Sequence, residues 1–199
     1  VITRDSGGPY IGASSNHSLR IITNNATRMH ITSAGYVGIG VTPTHHFNLQ
    51  GTGAVEARFR STDGDMSLQI SSDADETHNS ELNFMSGTSG RGSIVYDHHT
   101  TAATQKMLFK TGDLGVTAMT ITGNGKVGIG ETDPKGWLHI KEGDSGLSGA
   151  VNSNFDQLVL EDDSHCGMTI LSSTGGDGAI YFGDSGGNNR GQFKYRHGT

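Results

Sequence analysis

The chain has 199 residues, 31 of them Gly and 3 Pro, and its 14 Lys and Arg stand against 20 Asp and Glu for a net charge of −6. Leu, Ile, Val and Phe together make 40 residues, about 20% of the chain, near the level below which a sequence struggles to bury a core alone. Collagen is excluded by the irregular Gly spacing, a membrane-spanning helix by the lack of a long apolar run, and nucleic acid is disfavoured because no basic cluster offsets the acidic balance.

Strand signals follow one another along the chain. Apolar residues alternate with polar ones at Met66, Leu68 and Ile70, at Leu82 and Phe84, at Met119 and Ile121, and at Leu138 and Ile140. The same period of two returns at Leu158 and Leu160, Met168 and Ile170, Ile180 and Phe182, and Phe193 and Tyr195. Between them, Ser14-Ser15-Asn16, Asn24-Asn25, Asn124-Gly125 and Gly186-Gly187-Asn188-Asn189 read as turns. Asn124-Gly125 predicts a two-residue hairpin of type I′. Residues 55–60 and 102–110 are the two places where a short helix is the alternative. A helical bundle is excluded, because apolar residues alternate or clump and do not follow a helical spacing. The fold class is therefore all-β.

The sequence also repeats. Met29-His-Ile-Thr-Ser-Ala-Gly-Tyr-Val-Gly-Ile-Gly40 and Met119-Thr-Ile-Thr-Gly-Asn-Gly-Lys-Val-Gly-Ile-Gly130 share eight of twelve positions at an offset of 90. Both continue to a Thr (Thr42, Thr132) and a Pro (Pro43, Pro134), with one extra residue in the second copy. A second pair, residues 91–100 and 190–199, matches at an offset of 99. The repeats predict three parts. Residues 1–50 end one unit, with a connector over 28–50. Residues 51–141 form a complete unit, a β module over 51–110 and a connector over 111–141. Residues 142–199 begin the next.

Val37-Gly38-Ile39-Gly40 and Val127-Gly128-Ile129-Gly130 put aliphatic side chains on one strand face and none on the other. A bare face weakens a strand unless another backbone comes close. Within one chain that means a bulge or tight corner; in an oligomer it lets copies wrap around a shared axis. The thin supply of aliphatics favours an elongated homo-oligomer, threefold symmetry first, with a compact monomer second.

The string Arg28-Met-His-Ile-Thr-Ser-Ala-Gly-Tyr-Val-Gly-Ile-Gly-Val-Thr-Pro43 and the second copy's Gly136-Trp-Leu-His-Ile140 resemble the connector of bacteriophage tail-fibre proteins, of the type ERMRI…GNVGIGT…P…LHV. Residues 178–191, followed by Tyr195 and His197, are similar to the module before that connector. The resemblance covers about two thirds of the chain and is weakest over 1–18, 51–65 and 142–157. His45-His46-Phe47-Asn48-Leu49-Gln50 departs from the family pattern, which weakens the expectation for the first exit strand.

The resemblance implies a trimeric, β-rich fibre shaft with small knobs, a virion-tail (extracellular) location, and attachment to a host cell-surface glycan or outer-membrane component. An intramolecular chaperone domain often ends such proteins, and no part of this sequence reads as one. The chain begins with Val, which predicts a segment or a processed product, and no signal peptide is legible. A bacterial or prophage-encoded adhesin of the same architecture is the alternative, and a glycan-cleaving spike a more distant one.

Chemistry-bearing motifs fare poorly beside their structural explanations. Gly123-Asn-Gly-Lys-Val-Gly128 matches a dinucleotide fingerprint but lacks the helix that must follow it, so no cofactor is expected. The acidic loops at Asp63 and Asp65, at Asp73, Asp75 and Glu76, and at Glu161-Asp162-Asp163 lack calcium-loop spacing and read as solvated turns. His45-His46 and His98-His99 would point to opposite faces of a strand, and no His spacing converges on a metal. One His per chain could meet on a threefold axis, and His98 with its repeat equivalent His197 is the pair to inspect. His165-Cys166 cannot form a nucleophile and base on one strand face, and a lone Cys excludes a disulfide framework and leaves the redox compartment open. Tyr96, Tyr181, Phe182, Tyr195 and Trp137 could stack on sugars; the equivalence of Tyr96 and Tyr195 reads instead as a recurrent core position, and packing between chains is the plainer reading of Trp137. No catalytic, cofactor-binding or metal-binding residue is expected, and no catalysis.

Overall fold

The computed structural model describes residues 2–5, 8–13, 15–72 and 78–197. Asp73, Asp75 and Glu76 of the second acidic loop, and Ser14 of the first expected turn, lie outside them. The chain is all-β, with one short 3-10 turn among the described residues, at Ala102–Thr104. It divides into two compact units, Val1–Leu68 and Gln69–Thr199.

The first unit holds a two-stranded antiparallel hairpin, β1 (Ile2–Asp5) and β2 (Gly8–Ile11). It also holds a four-stranded sheet in strict chain order, β3 (Leu19–Thr23), β4 (Ala26–Ile31), β5 (Val37–Ile39) and β6 (Phe47–Leu49). The second unit has a seven-stranded sheet, again in chain order. Its strands are β7 (Ser80–Ser86), β8 (Ser89–Asp97), β9 (Lys106–Thr111), β10 (Val116–Thr122), β11 (Val127–Ile129), β12 (Leu138–Lys141) and β13 (Leu158–Glu161). A separate antiparallel hairpin, β14 (Asp177–Asp184) and β15 (Gly187–Arg196), completes it.

The two repeat copies fold alike. β4 pairs antiparallel with β5, and β10 with β11, through identical hairpins. Thr32 N donates to Tyr36 O at 2.9 Å in one, and Thr122 N to Lys126 O at 2.9 Å in the other. The loop has three residues, and of Gly123, Asn124 and Gly125 only Gly125 takes a left-handed φ, +87°. The expected type I′ turn is therefore corrected to a three-residue loop whose last glycine absorbs the strain, as Gly35 does at φ +84° in the first copy. The two-residue type I′ turn sits elsewhere, at Asn24 and Asn25, with φ of 49° and 54° between β3 and β4.

The next step is not legible as a pairing. β5 runs parallel to β6, and β11 parallel to β12, across connections of residues 40–46 and 130–137. A parallel crossover usually needs a dozen residues or more, because the chain must climb over a sheet face and return. Here it clears the face with seven or eight because that face is bare. A Cβ on Gly38 would lie 2.3 Å from Val41 O, and one on Gly128 2.0 Å from Glu131 O. The bareness of the strand is thus explained within one chain, by a tight corner, and no longer argues for a shared axis. β13 adds to β12 in parallel, so three parallel strands end the larger sheet.

Other expectations need correction. Residues 66–70 and 168–170 alternate as strands should, yet neither is one, since no neighbouring strand in the chain takes up their backbone groups. Residues 55–60 form no helix, and of 102–110 only the 3-10 turn is helical, the rest being β9. The turn near Gly186 falls at Ser185-Gly186, with Gly187, Asn188 and Asn189 already in β15.

The two faces of the larger sheet differ in kind. Register aligns Leu82, Ile94, Phe109, Met119, Ile129, Ile140 and Leu160 on one face, row by row across all seven strands. The other face carries Ser93, Val95, Thr120, Thr122, Gly128, His139 and Glu161, and the crossover and the 3-10 turn lie against it. The second is the buried one. Val95 is the only fully buried large apolar side chain among the described residues, whereas Leu82, Ile129 and Ile140 are exposed. The smaller sheet aligns Ile21, Met29, Ile39 and Leu49 on one face and Arg20, His30, Gly38 and Asn48 on the other, where His30 and Gly38 are buried and Arg20 is exposed.

Candidate functional site

Polar side chains gather under the second crossover. His139, in the middle of β12, shares its face with Gly128 on β11 and Val159 on β13. Glu161 ends β13 on the same face, opposite Lys141. The crossover brings Glu131 and Lys135 over them, and the segment after β12 supplies Asp144 and Ser145.

Almost every polar atom here is committed. His139 Nδ1 accepts the backbone N–H of Lys135 at 3.3 Å. The first copy places Asn48 at the same position, where its Oδ1 accepts the N–H of Thr44 at 3.4 Å. This position therefore serves to receive the returning crossover's amide. With Nδ1 accepting, the neutral ring carries its proton on Nε2, which touches Glu161 Oε2 at 2.8 Å. That contact is close but off the hydrogen-bond direction, so it acts as attraction between charge and dipole and not as a well-formed bond. Glu161 Oε1 accepts from the Ser145 backbone N–H at 3.1 Å and hydroxyl at 2.8 Å. Glu131 accepts from the Asp133 N–H at 2.8 Å and from Lys141 Nζ at 2.9 Å, and Lys141 also reaches Asp144 at 3.2 Å. Lys135 Nζ donates to Leu147 O.

These bonds move the protonation equilibria. The Ser145 hydroxyl holds the Glu161 carboxyl below its ordinary 4.5, outweighing the burial that raises it. Burial also lifts Glu131, but the Asp133 amide and Lys141 outweigh it, and the net shift is downward. A carboxylate lowered in the folded state adds stability above its unfolded value and loses it as pH falls through the folded one. Glu161→Gln is thus expected to lower the Tm at pH 7 and to flatten the acid-side decline below about pH 4.5, measured by thermal unfolding across pH. An equally steep decline in the variant would place the acid sensitivity elsewhere.

Glu131, His139 and Glu161 each offer one ligand atom, all within 4.8 Å of one another. The donor chemistry does not fit a metal. Nε2 carries the ring proton, and Lys141 already neutralises Glu131. A divalent cation would have to expel that proton, break the Lys135 amide contact and settle between two ammonium groups. The cluster instead staples three parallel strands to the crossover above them.

Sequence patterning does not single out His139, and Glu161 is corrected from a solvated turn to a buried group with a side chain 5% exposed. A signal was present: the second copy carries Glu131, His139 and Lys141 where the first has Val41, Asn48 and Gln50. The other expected positions stay apart. His98 and His197 each stand edge-on to the Tyr two residues before, at 4.9 and 4.8 Å. Tyr96 donates to Gln105 Oε1 at 2.7 Å and is half-buried, but Tyr195 is exposed, so the pair does not form a recurrent core within one chain. Neither His45-His46 nor His98-His99 lies on a strand. His165 pairs with Ser164, and Cys166 is exposed. Trp137, Tyr181 and Phe182 are exposed as well. No helix among the described residues is long and apolar enough to cross a membrane. No protein-family model and no curated protein matches this chain.

Proposed function

We propose that the chain is an elongated structural and adhesive segment of a homotrimeric bacteriophage tail fibre, without catalytic activity. In this reading it lies in the virion tail and attaches to a glycan or outer-membrane component of the host surface. One observation carries it. Both larger sheets turn a polar, glycine-bearing face toward their own crossover, and on the opposite face align an apolar row whose members are exposed or only half-buried. An apolar face running across seven strands is a surface that needs a partner. Copies of the same chain are the simplest source, and threefold closure gives each copy the same environment. The connector resemblance supports the viral setting. Attachment then works by multivalency, three chains presenting the same weak sites so that avidity exceeds any single contact.

Light scattering tests the assembly directly. The expected mass is three times the 20.9 kDa of one chain. A monomer at micromolar concentration would sink the proposal.

A further inference from the structure

A second polar site lies on the covered face of the larger sheet, and it differs from the staple in one respect: several of its polar groups are uncommitted. Asp97 ends β8, Lys106 begins β9 and Thr122 ends β10, one cross-strand row in register. The hairpin loop adds Asn124, Lys126 follows it, the crossover adds Asp133 and Pro134, and His99 with the 3-10 turn closes the remaining side. Together they line a cleft of about 400 Å³, within the size range of small-ligand sites.

Asp97, Lys106 and Asp133 have no side-chain hydrogen bond or ion pair among the described residues, although Asp97 and Lys106 are register neighbours. Asn124 uses only its Oδ1, accepting from the Thr122 hydroxyl at 2.5 Å, so its amide protons are uncommitted. Lys126 gives two protons to Pro134 O and Lys135 O, at 3.2 and 3.3 Å, and keeps the third. The floor is rigid, since Thr122 is buried and bonded on both sides.

The cleft is not a requirement of the architecture. In the first copy Ala34 and Tyr36 replace Asn124 and Lys126, and Tyr36 packs on His46 with ring centroids 4.5 Å apart. Asp133 is the one residue by which the second crossover is longer. The extra residue places a carboxylate where the first copy has none.

We propose that this cleft binds an uncharged saccharide unit. Two carboxylates and two ammonium groups balance, so neither an anion nor a cation is favoured. What the lining offers is both acceptors (Asp97 and Asp133) and donors (Lys106, Lys126 and the Asn124 amide), the complement of sugar hydroxyls, each able to give and receive. The proposal rests on the reading of the chain as an adhesive fibre and gives that reading one of its weak, repeated sites.

Saturation-transfer NMR on the whole chain, with methyl glycosides of glucose, galactose and N-acetylglucosamine as probes, tests it. The expected result is transfer to at least one glycoside, with binding about tenfold weaker in Asp133→Ala and in Asp97→Asn, the loss of one charge-assisted hydrogen bond. Unchanged light-scattering mass and circular dichroism keep these variants interpretable. No transfer from any probe, transfer in both variants as strong as in the unsubstituted chain, or displacement of the sugar by inorganic phosphate would overturn the proposal. A trimer that binds no sugar removes the cleft and leaves the fibre reading standing. A monomer that binds one does the reverse.

Discussion

Gly128→Ala is expected to release the second crossover and destabilise the larger sheet by about 3 kcal/mol, roughly 6–12 °C in Tm. The added Cβ would lie 2.0 Å from Glu131 O and 3.0 Å from Glu131 C, atoms of a backbone that cannot rotate away. To make room, the crossover must lift off the sheet, taking Glu131 and Lys135 from the polar cluster below. Gly38→Ala should act in the same way on the smaller sheet, where the new methyl group would sit 2.3 Å from Val41 O and 2.8 Å from Pro43 Cδ. Gly130→Ala combines a clash of 2.1 Å with Lys141 O and a φ of +71°, which a side chain rarely adopts. Gly149 is the control, with nothing within 4 Å of an added Cβ. Thermal unfolding of the four variants decides the matter. Equal Tm for Gly128→Ala and Gly149→Ala would mean that the crossover does not need the bare face.

If the proposed trimer closes over this face, Ile129→Asp is expected to reduce it from three chains to one while leaving the β content intact. Ile129 is 43% exposed in the single chain, between Met119 on β10 and Ile140 on β12. If the chain worked alone, a carboxylate there would stay in water and change stability by about half a kcal/mol or less. Buried against copies of itself, the same carboxylate is desolvated once per chain, at several kcal/mol each. The two situations predict opposite results, so light scattering and circular dichroism on one variant separate them. An unchanged trimer would show that this face is not the contact.

The antiparallel hairpins could be read from the sequence, because alternation marks the strands and short polar loops leave one way to join them. β10 with β11, and β14 with β15, are of this kind. The parallel pairs could not. Alternation states which side chains share a face, and says nothing of which way the next strand runs. Seven residues between Ile39 and Phe47 look like a hairpin loop until the empty faces of Gly38 and Gly40 are seen as room for the chain to climb over itself. The polar cluster was hidden for the same reason. Glu131, His139 and Glu161 are scattered in sequence and meet only because β11, β12 and β13 lie parallel and in register. Residues 66–70 mislead in the opposite direction. Their period is that of a strand, but a strand also needs a neighbour, and composition cannot supply one.

The strict chain order of the larger sheet has a kinetic consequence. From β7 to β13 each strand is laid beside the one made just before it, and the longest connection, residues 142–157, is still short. Little loop-closure entropy accumulates at any step, so the sheet can zip from one edge in the order of synthesis, unlike β folds that wait for distant partners. First-order zipping inside each chain can then precede any encounter between chains. In the proposed trimer, folding and association would then be separable in time, and only the second would depend on concentration.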